Sequence, residues 1–164
     1  MGVLTDYFRA PDADAVRRVL ERTEGRSPLS GRQPAFDGVR SKGLDPHVVL
    51  GQLVAAVREV PWEVDLVGEA PVWPPGPAPA AGTVVDDDDP WGTGPWVAEL
   101  GDAARDTLAG VADGDVPAVA ARWARAEELH GAAGEDLQPV VELLVGLARR
   151  ARADGESLYC WTCL

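Results

Sequence analysis

The chain has 164 residues, 46% hydrophobic and 26% charged, the composition of one soluble globular domain able to bury its own core. Its 27 acidic residues outnumber 15 basic ones for a net charge of −12, which repels a phosphate backbone and argues against nucleic acid as a partner. No stretch reaches the roughly 18 apolar residues of a membrane span, and two cysteines make no disulfide framework, so the expected setting is the reducing cytoplasm.

In chain order, Gly2 to Arg9 reads as a strand, with Leu4 and Phe8 on one face and Val3, Thr5 and Tyr7 on the other. Asp12 caps a helix whose inward stripe is Val16, Val19 and Leu20, and Gly25 stops it. A loop rich in Gly, Pro, Ser and Arg follows to Gln33, then a brief extended piece at Phe36 to Val39. Asp45-Pro46 is a helix start, a cap followed by proline at the first helical position, and Val49, Leu50, Leu53, Val54, Val57 and Val60 line one side up to Pro61.

Residues 61–95 form an excursion with eight of the 14 prolines and the run Asp86, Asp87, Asp88, Asp89. Proline at this density forbids a long helix and interrupts ladders. A short strand is expected near Ala70 to Trp73, and Pro74 to Pro90 has the composition of a disordered segment.

Trp96 to Leu100 reads as a strand, Asp102 to about Val111 as a helix, and Asp115 caps another running through Leu129. The final helix, about Glu135 to Ala153, has apolar residues on more than one face and is expected in the middle of the domain, with Pro139 fitting only in a first turn. Gly155 ends it, and Ser157 to Leu164 is strand-like. The fold class is α+β: a helix-rich single domain, residues 1–164, around a small mixed sheet that includes the N- and C-terminal strands. Those two are apolar on both faces, which suits pairing at the sheet centre.

The opening Met1-Gly-Val-Leu-Thr-Asp-Tyr-Phe-Arg9, the helix start Lys42-Gly-Leu-Asp-Pro46 and the closing Leu158-Tyr-Cys-Trp161 resemble an uncharacterised group of actinobacterial proteins. The order of elements is also similar to that of the YfbM-like family, whose members begin with a Met-Gly strand, carry a Leu-Asp helix start midway and end in a helix followed by a strand. The resemblance implies a compact α+β domain. It implies no activity and no functional residues.

Cys160 and Cys163 form a C-x-x-C. In redox proteins that motif opens a helix, where amide dipoles lower the first thiol's pKa. Here it lies in strand-like sequence, which turns the two residues to opposite faces, roughly 10 Å apart at about 3.3 Å per residue. Zinc would need two further ligands, and His47 and His130 are the only histidines. Glu127 and His130 have the Glu-x-x-His spacing of di-iron helices, but no second copy exists. The bland readings are structural cysteines and a helix-end histidine.

Asp86, Asp87, Asp88 and Asp89 lack the alternation and glycine of a calcium loop and read as a solvated acidic run. Trp73, Trp91 and Trp96 flank it and are either partner anchors or loop aromatics folded onto the core. Asp6, Tyr7, Arg9 and His130 are candidate pocket residues, and Asp37, Arg40 and Lys42 add charge in mid-chain. No P-loop, G-x-G-x-x-G, G-x-S-x-G or H-E-x-x-H occurs, so no cofactor is expected.

These features favour a non-catalytic cytoplasmic protein-binding or regulatory module, monomeric or homodimeric through a terminal strand. Its partner surface would be Trp73, Asp86, Asp87, Asp88, Asp89 and Trp91. The alternative is a metal- or thiol-dependent enzyme using Cys160 and Cys163 with His130 or His47.

Overall fold

A computed structural model describes residues 3–164. Five strands, β1 (Leu4–Ala10), β2 (Gly38–Lys42), β3 (Glu69–Trp73), β4 (Trp96–Leu100) and β5 (Ser157–Cys163), make one sheet in the order β2-β1-β5-β4-β3. Six α-helices accompany it: α1 (Ala13–Thr23), α2 (Val49–Arg58), α3 (Pro90–Thr93), α4 (Asp102–Ala109), α5 (Val116–Trp123) and α6 (Gly134–Ala153). The fold is α+β with both terminal strands in the sheet. Every strand pair is antiparallel, so the sheet is not mixed. The reason is connectivity: no helix carries the chain between two neighbouring strands in the same direction.

The terminal strands lie at the centre, β1 pairing along its whole length with β5 from Leu4↔Cys163 to Ala10↔Ser157. Pairing of protomers through an exposed terminal strand is thereby overturned, because both edges of each are occupied. The sheet edges are β2, with Arg40 and Lys42, and β3, with Pro71 and a bulge at Pro71/Trp73. Charges, proline and bulges are the devices that discourage edge-to-edge association.

Alternation along β1 divides the core in two. Tyr7, with Val39, Leu158 and Cys160, faces a large cluster built by α2, α4, α5 and α6. Trp123 anchors it, 1% exposed and donating from Nε1 to the Val49 carbonyl at 3.0 Å. Phe8, Val97, Tyr159 and Trp161 face the other way, onto a smaller cluster closed by Val16 and Leu20 of α1 and by Leu29. There Phe8 lies between Phe36 and Tyr159, its ring centroid 5.4 Å from one and 5.5 Å from the other.

Several boundaries differ from expectation for physical reasons. Gly2 lies outside the described residues, and β1 begins at Leu4. The second strand starts at Gly38 because Phe36 leaves the ladder to stack on Phe8. A Cβ at Gly38 would stand 2.4 Å from the Tyr7 carbonyl oxygen, so only glycine fits. The predicted helix from Asp115 stops at Trp123, and a 3-10 turn at Glu127–Leu129 follows. Nothing in Ala124-Arg125-Ala126 breaks a helix; Leu129 packing back on the core overrides local propensity.

Helix α6 is amphipathic rather than buried all round. Val141, Leu144, Val145 and Ala148 face the core while Leu143 is 56% exposed. Pro139 sits inside it, in the second turn, where only one backbone hydrogen bond near the N-terminus is forgone. The segment 74–89 carries no strand or helix and is mostly exposed.

Candidate functional site

The two sheet faces are unequally covered. Four helices pack on one, but α1 alone serves the other, and it lies toward β1 and β3. The β2 end of that face stays open as a cavity of about 560 Å³, within the usual range for small-ligand sites. Its buried members are Asp6, Ser27 and Trp161; Leu4, Ser30, Gly31, Arg40 and Lys42 are exposed around it, with Ser41 between.

Strand register builds the site. Asp6 on β1 is the direct partner of Arg40 on β2 and of Trp161 on β5, so the three stand side by side on one face. Leu4 and Lys42 form the next row outward on the same face. Arg40 and Lys42 alternate on their strand, which turns both toward the cavity.

The loop after α1 closes the remaining side and is held by the site's own polar groups. Ser27 Oγ donates to Asp6 Oδ2 and accepts from the Leu29 amide at 3.1 Å, and Ser30 Oγ donates to the Ser27 carbonyl at 2.6 Å. The Arg40 guanidinium donates to the Leu29 carbonyl. The Trp161 indole donates to the Gly25 carbonyl at 2.9 Å, which fixes the ring in the cavity floor. Asp6 is only 9% exposed, yet among the described residues it has no cationic partner and no donor to Oδ1. Arg40 and Lys42 likewise enter no ion pair there.

A second cavity, about 210 Å³, lies on the opposite face among Asp45, His47, Glu69, Trp96, Cys160 and Thr162. His47 Nδ1 is 3.2 Å from Glu69 Oε1, but that buried oxygen accepts no hydrogen bond. Burial raises the Glu69 carboxyl pKa, His47 opposes the rise and Asp45 adds to it. Burial pushes the Cys160 thiol up to about 12, against hydrogen bonds with Thr162 and Tyr7. Tyr7 is buried beside it, its pKa also raised by burial, and donates to the Leu44 carbonyl at 2.6 Å. Cys160 is therefore a protonated core thiol near neutrality.

The four expected pocket residues do not converge. Asp6 lines the large cavity; Tyr7, its neighbour on a strand, necessarily faces the opposite core. Arg9 is taken up in an ion-pair cluster with Asp37, Asp154 and Glu156. His130 is exposed in a left-handed turn with φ 50°. Cys160 and Cys163 are free thiols on opposite sheet faces, and Cys160 shares a cavity with His47, not with His130. Among the described residues no group of three or more His, Cys, Asp or Glu side chains is placed to hold a metal ion.

In the excursion, Trp73 packs into the smaller core cluster, and Trp96 donates from Nε1 to the Trp91 carbonyl at 3.0 Å. Asp89 caps α3, accepting from the Trp91 amide at 2.8 Å, whereas Asp86, Asp87 and Asp88 are exposed. Trp73 is thus folded onto the domain, Trp96 is tied to the Trp91 backbone, and Asp86, Asp87 and Asp88 project.

Ser27 and Trp161 were not legible as site residues. Arg40 and Lys42 carried one signal, their alternation with Ser41 between them, which becomes informative once β2 is known to pair with β1.

Compared with protein-family models, with curated proteins and with solved structures, the chain finds no match in any of the three.

Proposed function

We propose that the protein is a non-catalytic binding module whose ligand site is the cavity beside α1. One observation carries the reading: a buried carboxylate and two cations share one cavity and, among the described residues, pair with nothing charged. Basic residues are scarce in a chain of net charge −12, and Lys42 is its only lysine. Arg40 and Lys42 stand beside the Asp6 carboxylate in one cavity lining, a mixed-charge arrangement that suits a charged ligand. Ser27 is no nucleophile in this reading, since its hydroxyl is bound on both sides as a loop brace. The free thiols suit a reducing, cytoplasmic setting. No described helix is long and apolar enough to cross a membrane. The edge strands fit a monomer, or a homodimer formed without strand pairing.

The test is a titration of full-length protein with a library of charged, polar and apolar fragments, followed through the ¹H–¹⁵N signal of the Trp161 indole. A saturable shift that Arg40→Ala removes is expected. If no fragment moves the signal, the reading is wrong.

A protein partner docking on the excursion is the second reading, favoured by Val84, 94% exposed beside the projecting Asp86, Asp87 and Asp88. An acidic loop with an apolar tip suits a basic partner. Partners that persist in pull-downs after residues 75–88 are removed would eliminate this reading.

A further inference from the structure

Resting on the ligand-site reading above, we infer that the cavity binds a free α-amino acid, its ammonium at Asp6, its carboxylate at Arg40 and its side chain over Leu4 and Trp161. The charge pattern selects this class. A ligand with one charged end would satisfy either the buried carboxylate or the guanidinium and leave the other without a charged partner. A ligand with both charges satisfies both.

Distance narrows the class further. Asp6 and Arg40 are direct cross-strand partners, and such pairs have Cβ atoms about 4.5–5.5 Å apart. Side chains rising from neighbouring positions suit a ligand whose two charges lie close together, as on one α-carbon, better than a long zwitterion. Arg40 presents a planar fork that a carboxylate meets with two parallel hydrogen bonds, while Lys42 one row outward adds only a point charge. The apolar part of the cavity begins at Trp161, on the opposite side of Asp6 from Arg40, so the ligand's side chain has a direction to leave in.

The arrangement also explains why Asp6 and Arg40, facing the same way on adjacent strands, form no ion pair with each other. Ser27 engages one Asp6 oxygen, and the Leu29 carbonyl draws the guanidinium toward the loop. The amino-acid head group would bridge the two. Because both anchors are hydrogen-bonded to the loop 25–31, through Ser27 and the Leu29 carbonyl, occupancy would also tighten that loop.

The experiment uses full-length protein, the Trp161 indole signal and calorimetry. Leucine and phenylalanine are the zwitterions. Their matched single-ended analogues are 4-methylpentanoate and 3-phenylpropanoate, which lack the amine, and isoamylamine and phenethylamine, which lack the carboxylate. At least one amino acid should bind saturably and about tenfold or more tighter than either of its analogues, the worth of one charge-assisted hydrogen bond. Asp6→Asn should abolish the preference for the amino acid over the desamino analogue. Arg40→Ala should abolish its preference over the amine. Should Asp6→Asn fail to fold, the Arg40→Ala comparison decides alone. Single-ended analogues that bind as tightly as the amino acids overturn the ligand class while leaving the site intact. A Trp161 signal that no probe and no fragment moves overturns the site with it.

Discussion

Asp37 and Glu69 are carboxylates with opposite effects on stability. Asp37 accepts from Arg150 at 2.7 and 3.1 Å and from Arg9 Nε at 2.8 Å. Its carboxyl is held below the usual range, first by the Arg150 hydrogen bond, against a smaller cost of burial, with Arg9 adding. The folded protein then binds fewer protons than the unfolded chain in mild acid. Its contribution is present above the ordinary carboxylate range and is lost as pH falls through the folded value. Asp37→Asn should cost about 1 kcal/mol or less at pH 7, since the group is partly exposed, and urea midpoints should converge with wild type in acid. For Glu69 burial raises the pKa, so the ionised form weakens the fold as pH rises through that range. Glu69→Gln should raise the urea midpoint at pH 7, the gain fading toward acid. The thiols differ as sharply. Thiol-reagent titration of native protein at pH 8 should show one accessible group, removed by Cys163→Ser, and a second only on unfolding, because Cys160 is 1% exposed and its pKa is pushed up to about 12.

Helix α6 depends on a close approach at its first residue. A Cβ at Gly134 would stand 2.9 Å from the Ala121 Cα and 3.1 Å from its backbone nitrogen, so α5 and α6 touch through backbone there. Gly134→Ala should destabilise the protein by about 1–3 kcal/mol despite alanine's better helix propensity, read as a drop in urea midpoint. No sequence pattern announced this: a glycine beside Glu135 reads as a boundary, and the partner backbone lies on another helix. Elements with strong local signals were legible. Trp96–Leu100 has the strand bounds its β-branched and aromatic residues imply, and Asp12 caps α1 by accepting from Ala15 at 2.7 Å. What failed was decided by distant packing, as where Leu129 ends a helix that composition would continue. The cavity was half legible. Asp6 reads as a candidate pocket residue and Arg40 and Lys42 as charges, but their convergence requires the β1–β2 register, and Trp161 reaches them only through β5.

At the scale of the molecule, only the middle of the excursion is separable from the core. Val67 and Val72 are buried in the core, β3 pairs with β4 and Asp89 caps α3, whereas residues 75–88 between these anchors carry no regular structure and are mostly exposed. Replacing residues 75–88 by a short flexible linker should leave thermal stability within about 1 kcal/mol of wild type, because closure entropy varies slowly with loop length. A larger loss would show that the projecting segment packs on the domain.

The sheet order β2-β1-β5-β4-β3 also governs how the chain comes into being. During synthesis, β1 with β2 and β3 with β4 can each form a local hairpin-like pair, yet the strand that joins the halves is translated after all the others. Until residues 157–163 leave the ribosome, the two strand pairs keep open edges, and the apolar faces of α2, α4, α5 and α6 can close only on one another. Assembly therefore waits for the strand that spans the greatest sequence separation, which makes folding slow relative to a helical protein of this size. It also leaves the nascent chain exposed to aggregation, with its last strand as the step that ends the exposure.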